Sequence, residues 1–139
     1  MPVPEGRLRI LIVDDSKTSR LALESILSPY GDCDLAGNGE DAIKAFSLAW
    51  ERNNPYDLIC MDIMMPKVDG IQALKMIRKM EREMGVMQSE ASKVVMISAV
   101  DNPRYIFEAY HQGRANAYIY KPLDKQKILE ELKKLNLTA

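Results

Sequence analysis

The chain has 139 residues, a normal length for one compact domain, and its 47% hydrophobic content is enough to fill a core. With 19 Lys and Arg against 20 Asp and Glu the net charge is -1, so no global field favours nucleic acid or an anionic membrane. No apolar run approaches the roughly 18 residues of a membrane span. Met1-Pro2-Val3-Pro4-Glu5-Gly6 lacks the basic and apolar zones of a signal peptide, and a cytoplasmic protein is expected.

Leu8 to Val13 is a β-branched run that stops at two acids, as a strand buried on both faces stops at its carboxyl edge. Ser16 is a candidate N-cap, after which Ala22, Leu23, Ile26 and Leu27 recur at helical spacing until Pro29-Tyr30-Gly31. A short second strand, Cys33 to Ala36, leads into Gly37-Asn38-Gly39. Ala42, Ile43, Phe46, Ala49 and Trp50 then trace one face of a helix ending near Asn53-Asn54-Pro55. The third strand, Leu58 to Met61, runs into Asp62.

A third helix begins at Gly70 and turns Ile71, Leu74 and Ile77 inward, with Lys75, Arg78, Lys79, Glu81 and Arg82 expected to face water. Gly85 to Lys93 is polar and suits a surface connection. Val94 to Ile97 reads as the fourth strand, ending at Ser98. Pro103 fits the first turn of a fourth helix carrying Ile106, Ala109 and Tyr110, which Gly113 closes. Ala117 to Tyr120 is the fifth strand. After Pro122 a last helix carries Ile128, Leu129, Leu132 and Leu135. The expected organisation is a tail over 1–7, one domain over 8–135 and a second tail over 136–139.

Strand and helix alternate five times, which implies an α/β fold, a parallel sheet with right-handed crossovers and helices on both faces. In such doubly wound, three-layer sandwiches ligands collect beyond the carboxyl ends of the strands. Asp14, Asp15, Asp62, Ser98 and Lys121 all fall at or just past strand ends. Three carboxylates in one crevice repel unless a cation lies among them. Oxygen donors without a His or Cys cluster match Mg²⁺, with Mn²⁺ as a possible substitute, and not zinc. Such a cation would neutralise phosphoryl oxygens and leave one carboxylate free to attack phosphorus. Lys121 and the Ser98 hydroxyl could serve two further phosphoryl oxygens.

These residues resemble the receiver domains of two-component response regulators, over about Leu8 to Leu135. The resemblance rests on Val13-Asp14-Asp15-Ser16, Asp62-Ile63-Met64-Met65-Pro66-Lys67-Val68-Asp69-Gly70, Ser98-Ala99 and Lys121-Pro122, four motifs in order at strand ends. It implies a flavodoxin-like strand order 2-1-3-4-5 with five helices. It implies Asp62 as phosphoacceptor, Asp15 as a direct Mg²⁺ ligand, Asp14 as an acid acting partly through water, and Met64 as a ligand through its backbone carbonyl. Ser98 and Ala99 fall at the phosphate-binding switch position, Lys121 is the phosphate-pairing lysine, and Tyr118 is the aromatic that follows the Ser98 hydroxyl. The Lys121-Pro122 bond is expected to be cis. A phosphoryl group would then remodel the fourth helix, fifth strand and fifth helix, with Tyr105, Tyr110, Arg114, Lys125 and Gln126 as candidate output residues. The implied partners are a histidine kinase or a histidine phosphotransfer protein and a downstream protein target, with no nucleic acid or membrane. The chain is expected to be a monomer or a phosphorylation-dependent dimer. A stand-alone, chemotaxis-type regulator suits the length, and a receiver module of a larger transcription factor or enzyme is the alternative.

Other readings are weaker. A haloacid-dehalogenase-type phosphatase needs an acid two residues after its nucleophile, but Asp14, Asp15 and Asp62 are followed there by Ser16, Lys17 and Met64. Gly37-Asn38-Gly39-Glu40-Asp41-Ala42 fits G-x-G-x-x-A, yet a turn with Asn38 as helix cap accounts for it better than dinucleotide binding. His111 has no nucleophile beside it. Cys60 reads as a buried thiol and the methionines as gap-filling core. Met64 and Val100, two residues after Asp62 and Ser98, cannot hydrogen-bond a hydrolytic water, which predicts slow self-dephosphorylation.

Overall fold

The computed structural model describes residues 7–139, so most of the expected N-terminal tail lies outside the described residues. Five strands alternate with five helices: β1 (Leu8–Val13), α1 (Lys17–Leu27), β2 (Gly31–Ala36), α2 (Gly39–Glu51), β3 (Leu58–Met61), α3 (Gly70–Glu83), β4 (Lys93–Ser98), α4 (Pro103–His111), β5 (Ala117–Tyr120) and α5 (Lys125–Lys134). All pairings are parallel, in the order β2-β1-β3-β4-β5. This is the flavodoxin-like order, and it places the topological reversal between β1 and β3, where a crevice opens at the carboxyl edge.

Alternation along the strands divides the core. Leu11, Val13, Ile59, Met61, Val94 and Met96 pack on one face against Ala42 and Phe46 of α2, Leu74 and Ile77 of α3, and Ala109 of α4. Leu8, Ile10, Ile12, Cys60, Val95 and Ile97 pack on the other against Leu23 and Leu27 of α1 and Ile128 and Leu132 of α5. Both faces are covered by helices, which is why the central strands are continuously apolar.

Caps set the helix ends. Ser16, Asn38, Asp69, Asn102 and Asp124 each accept a backbone N–H in the first turn, and Asp69 with Gln72 forms a capping box. At the other end α2, α3 and α5 stop the same way. Asn53, Gly85 and Asn136 take positive φ, and the next residue's N–H reaches back to the carbonyls of Ala49, Glu81 and Leu132. That turn ties Leu137 against the α1/α5 core, so part of the 136–139 segment packs instead of trailing.

Several expectations need correction. β2 begins two residues earlier than Cys33, and β4 one residue before Val94. The connection before β4 contains a 3₁₀ turn, Gln88–Glu90. Ala22 is exposed and contributes nothing to the inner face of α1. Arg78 and Glu81 do not face water: they are 3% and 2% exposed. They lie on the same helical stripe as Leu74 and Ile77, and position on the stripe outweighs charge because the two pair with each other while backbone carbonyls serve Arg78 and the Ser92 N–H serves Glu81. Met61, Met65 and Met96 are core, but Met64, Met76, Met84 and Met87 are exposed, so gap filling explains only part of the methionine content.

Cys60 is buried as expected, and burial pushes its thiol up to about 12. Cys33 is half-buried and is raised to about 11 by burial and then by the charges of Glu24, Asp32 and Asp34. At pH 8 a thiol reagent is therefore expected to modify native Cys33 slowly and to reach Cys60 only after unfolding. Rapid reaction of both thiols in native protein would contradict this packing.

Candidate functional site

The parallel ladder continues one residue past three strands. Asp14 N–H donates to Ala36 O at 3.1 Å, Asp62 N–H to Val13 O at 2.9 Å, and Lys121 N–H to Ser98 O at 3.0 Å. Each of these residues is thus held by the carbonyl of a neighbouring strand, and its side chain is delivered to the same crevice. One carboxylate oxygen from each of Asp14, Asp15 and Asp62 lies within 4.8 Å of the others. Asp14 and Asp62 are 1% and 6% exposed, whereas Asp15 is open to solvent.

Lys121 bridges the two buried acids, its Nζ 2.8 Å from Asp14 Oδ2 and 2.9 Å from Asp62 Oδ2. The remaining oxygens accept backbone donors: Asp14 Oδ1 from Ser16 N–H at 2.9 Å, and Asp62 Oδ1 from Met64 N–H at 3.3 Å. Burial works to lower the Lys121 pKa, but the hydrogen bonds and charges of Asp14 and Asp62 outweigh it and hold the ammonium above its ordinary value. One ammonium against three carboxylates leaves a local charge of -2. At such separations each carboxylate pair repels by about 3–4 kcal/mol at an effective dielectric near 20, so a hard divalent cation fits this all-oxygen donor set.

The loop after β3 folds back on its origin. Gly70 N–H donates to Ile63 O at 2.8 Å. A Cβ on Gly70 would stand 2.0 Å from Asp62 O, so the glycine is required by backbone approach at the start of α3. Ser98 is fully buried, and its Oγ accepts the Val100 N–H at 3.2 Å. The Tyr118 hydroxyl donates to Val100 O, so one short loop is held from both sides. Burial pushes the Tyr118 phenol up to about 12, with Ser98 hydrogen bonding opposing and the charges of Tyr120, Asp62 and Asp101 adding. Ala99 is exposed beside this loop, and the Lys121-Pro122 bond is cis.

The candidate output residues do not form one uniform surface. Tyr110, Arg114, Lys125 and Gln126 are exposed, while Tyr105 is half-buried against the α2/α3 core. Phe107, His111 and Tyr120 were not among the expected residues but are exposed on the same elements, with Phe107 and His111 stacked at a 4.1 Å centroid distance. Their i, i+4 spacing on α4, on the side away from Ala109, was the available signal.

A family model described as "Response regulator receiver domain" matches residues 10–133. The chemotaxis protein CheY of Treponema pallidum is 36% identical over 126 residues, covering 89% of this chain and 79% of the relative. The CheX-CheY-BeF3-Mg²⁺ complex from Borrelia burgdorferi superposes with a TM-score of 0.79 at 29% identity, covering 94% of this chain and 90% of that one. The Ssk1 receiver domain, solved with the phosphotransfer protein Ypd1 of Saccharomyces cerevisiae, gives 0.78 at 25% identity, covering 93% and 88%. With its strand order, its acidic crevice and this match over nearly its whole length, the chain belongs to the response-regulator receiver family of two-component signalling.

Proposed function

We propose that the chain is a phosphorylation-activated switch in which Asp62 accepts a phosphoryl group from a phosphohistidine on a histidine kinase or a histidine phosphotransfer protein. The observation that carries this reading is the convergence of Asp14, Asp15, Asp62 and Lys121 on one crevice, with Lys121 joined to both buried acids and its backbone N–H held by the Ser98 carbonyl. Asp14 and Asp15, with Asp62 and the Met64 carbonyl, would hold Mg²⁺, which when bound neutralises phosphoryl charge and aligns donor and acceptor. An Asp62 carboxylate oxygen forms the new P–O bond as the donor's P–N bond breaks. Lys121 stays charged throughout and moves from Asp62 to a phosphoryl oxygen. Ser98 donates a hydrogen bond from its hydroxyl to another oxygen.

Swinging Ser98 Oγ toward the phosphoryl group would draw it away from the Val100 N–H it now accepts, and Tyr118 grips the Val100 carbonyl. Phosphorylation would therefore shift the β4–α4 loop and the α4, β5 and α5 surface together, which a protein target would read. The similarity to the Ssk1 receiver, solved with its phosphotransfer protein, supports a donor of that kind. Intact-mass measurement after incubation with Mg²⁺ and acetyl phosphate tests the reading. One added phosphoryl group is expected, lost when Mg²⁺ is chelated. An unmodified protein in saturating Mg²⁺ would overturn it.

The Asp62 phosphoryl group is expected to persist. Met64, 60% exposed, and Val100, half-buried, offer no side-chain polar group to orient a water at the crevice mouth. Met64→Asn supplies one and should shorten the phosphoryl half-life several-fold by mass-spectrometric decay. A half-life of seconds in the unmutated protein would contradict the argument.

A further inference from the structure

Asp14 and Asp15 are adjacent in sequence but are held very differently. Asp14 is fixed at its backbone N–H by Ala36 O and at its carboxylate by Ser16 N–H and Lys121. Asp15 is exposed, and among the described residues its carboxylate accepts no hydrogen bond. The orientation of Asp15 therefore depends on the peptide that joins it to Asp14. The oxygen of that peptide, Asp14 O, accepts a hydrogen bond from Arg20 Nη1 at 2.7 Å.

Arg20 stands in the second turn of α1, anchored by its own N–H to Ser16 O at 3.0 Å. It forms no ion pair among the described residues, although the residue whose carbonyl it holds, Asp14, is one of the three clustered acids. A guanidinium serving to neutralise charge would turn to a carboxylate, since that bond is about twice as strong as one to a neutral acceptor. This one is spent on a peptide carbonyl. A second feature converges on it: a Cβ built on Gly37 in the β2–α2 turn would lie 3.3 Å from Arg20 Nη1 and 3.9 Å from its Cζ, with no other group that near. Gly37 has no left-handed φ to explain it, so what the absent side chain provides is room for the guanidinium.

We propose that Arg20 is a positioning residue for the metal site, clamping the Asp14–Asp15 peptide from α1 so that the Asp15 carboxylate faces Asp62, with Gly37 keeping the space the clamp needs. This rests on the reading of Asp14, Asp15 and Asp62 as a Mg²⁺ site. Groups that orient metal ligands commonly govern metal affinity by about 10-fold or more when removed.

Titration calorimetry of Mg²⁺ into the unphosphorylated protein tests it, with circular dichroism and the metal-free melting temperature confirming the fold of each variant. Arg20→Ala is expected to weaken Mg²⁺ about 10-fold, and Arg20→Lys, which can still donate to Asp14 O, to recover most of the loss. Gly37→Ala should weaken Mg²⁺ by a smaller factor in the native background and add nothing in the Arg20→Ala background, because the two act through one contact. If Arg20→Ala does not fold, Gly37→Ala carries the test by itself: weaker Mg²⁺ binding at an unchanged melting temperature supports the clamp. Equal or tighter Mg²⁺ binding in Arg20→Ala, or fully additive losses from the two substitutions, overturns the clamp alone. Absence of Mg²⁺ binding in the unmutated protein overturns the metal site and the clamp with it.

Discussion

Asp62→Asn is expected to take phosphorylation by acetyl phosphate and Mg²⁺ from stoichiometric to undetectable while leaving the fold intact. An amide has no anionic oxygen to attack phosphorus, and the two acids beside it, Asp14 and Asp15, are the residues proposed to hold Mg²⁺. Among the described residues Asp14 is the only other buried acid in the crevice, and its two oxygens are committed to Ser16 N–H and Lys121. The substitution is nearly isosteric: the Asn oxygen can keep the 3.3 Å contact to Met64 N–H. Its amide nitrogen would confront Lys121 Nζ, now 2.9 Å from Asp62 Oδ2, and the lysine would fall back on Asp14 alone. Intact mass and peptide mapping read the result. Full modification of the variant would sink the assignment of Asp62 as acceptor.

The parts of this site legible in the sequence are those set by strand ends. Five alternations of strand and helix, with two strands stopping at an acid, one at Ser98 and one at Lys121, locate Asp14, Asp62, Ser98 and Lys121 at one edge, because a parallel sheet gathers the polar groups of its loops beyond the strand carboxyl ends. Ser16 and Asn38 were readable as caps for an equally local reason, a side-chain acceptor just before a periodic run. What the sequence concealed depends on approach between distant segments. Gly31 reads as part of a turn after Pro29, yet it opens β2, where a Cβ would sit 2.4 Å from Leu8 O across the ladder. The hold of Arg20 on the Asp14–Asp15 peptide is invisible for the same reason: periodicity reports which face a side chain takes, not which carbonyl it finds. The methionines show the opposite limit. Met76, Met84 and Met87 are apolar but exposed, since burial depends on what packs against a position and not on residue type alone.

Arg78→Met should destabilise the fold by about 3–5 kcal/mol, the range for breaking a buried ion pair from one side. Against a total stability of roughly 5–15 kcal/mol that is a large fraction, and it would appear in urea unfolding as a lowered midpoint at nearly constant slope. The guanidinium works as a hub. Its Nη1 reaches Glu81 Oε1 and Ser92 O, both at 2.8 Å, its Nε reaches Gly113 O at 3.1 Å, and its Nη2 reaches Arg114 O at 3.0 Å and Asn116 Oδ1 at 3.2 Å. Glu81 in turn accepts Ser92 N–H at 2.9 Å through Oε2. One side chain therefore satisfies carbonyls on the segment entering β4 and on the α4–β5 turn, and pairs with a buried carboxylate. Truncation leaves that carboxylate unpaired and several carbonyls orphaned. The two costs can be separated: Arg78→Met with Glu81→Gln removes the stranded charge but not the unmet carbonyls, so the double variant should recover only part of the loss. Full recovery would show that the ion pair alone mattered and that the carbonyl hub is incidental. Because the hub lies at the amino edge of β4 and β5, opposite Asp62, the folded fraction of Arg78→Met should still accept a phosphoryl group at the normal rate. A matching loss of phosphorylation rate in protein shown to be folded would mean instead that the two edges of the sheet are coupled through α3.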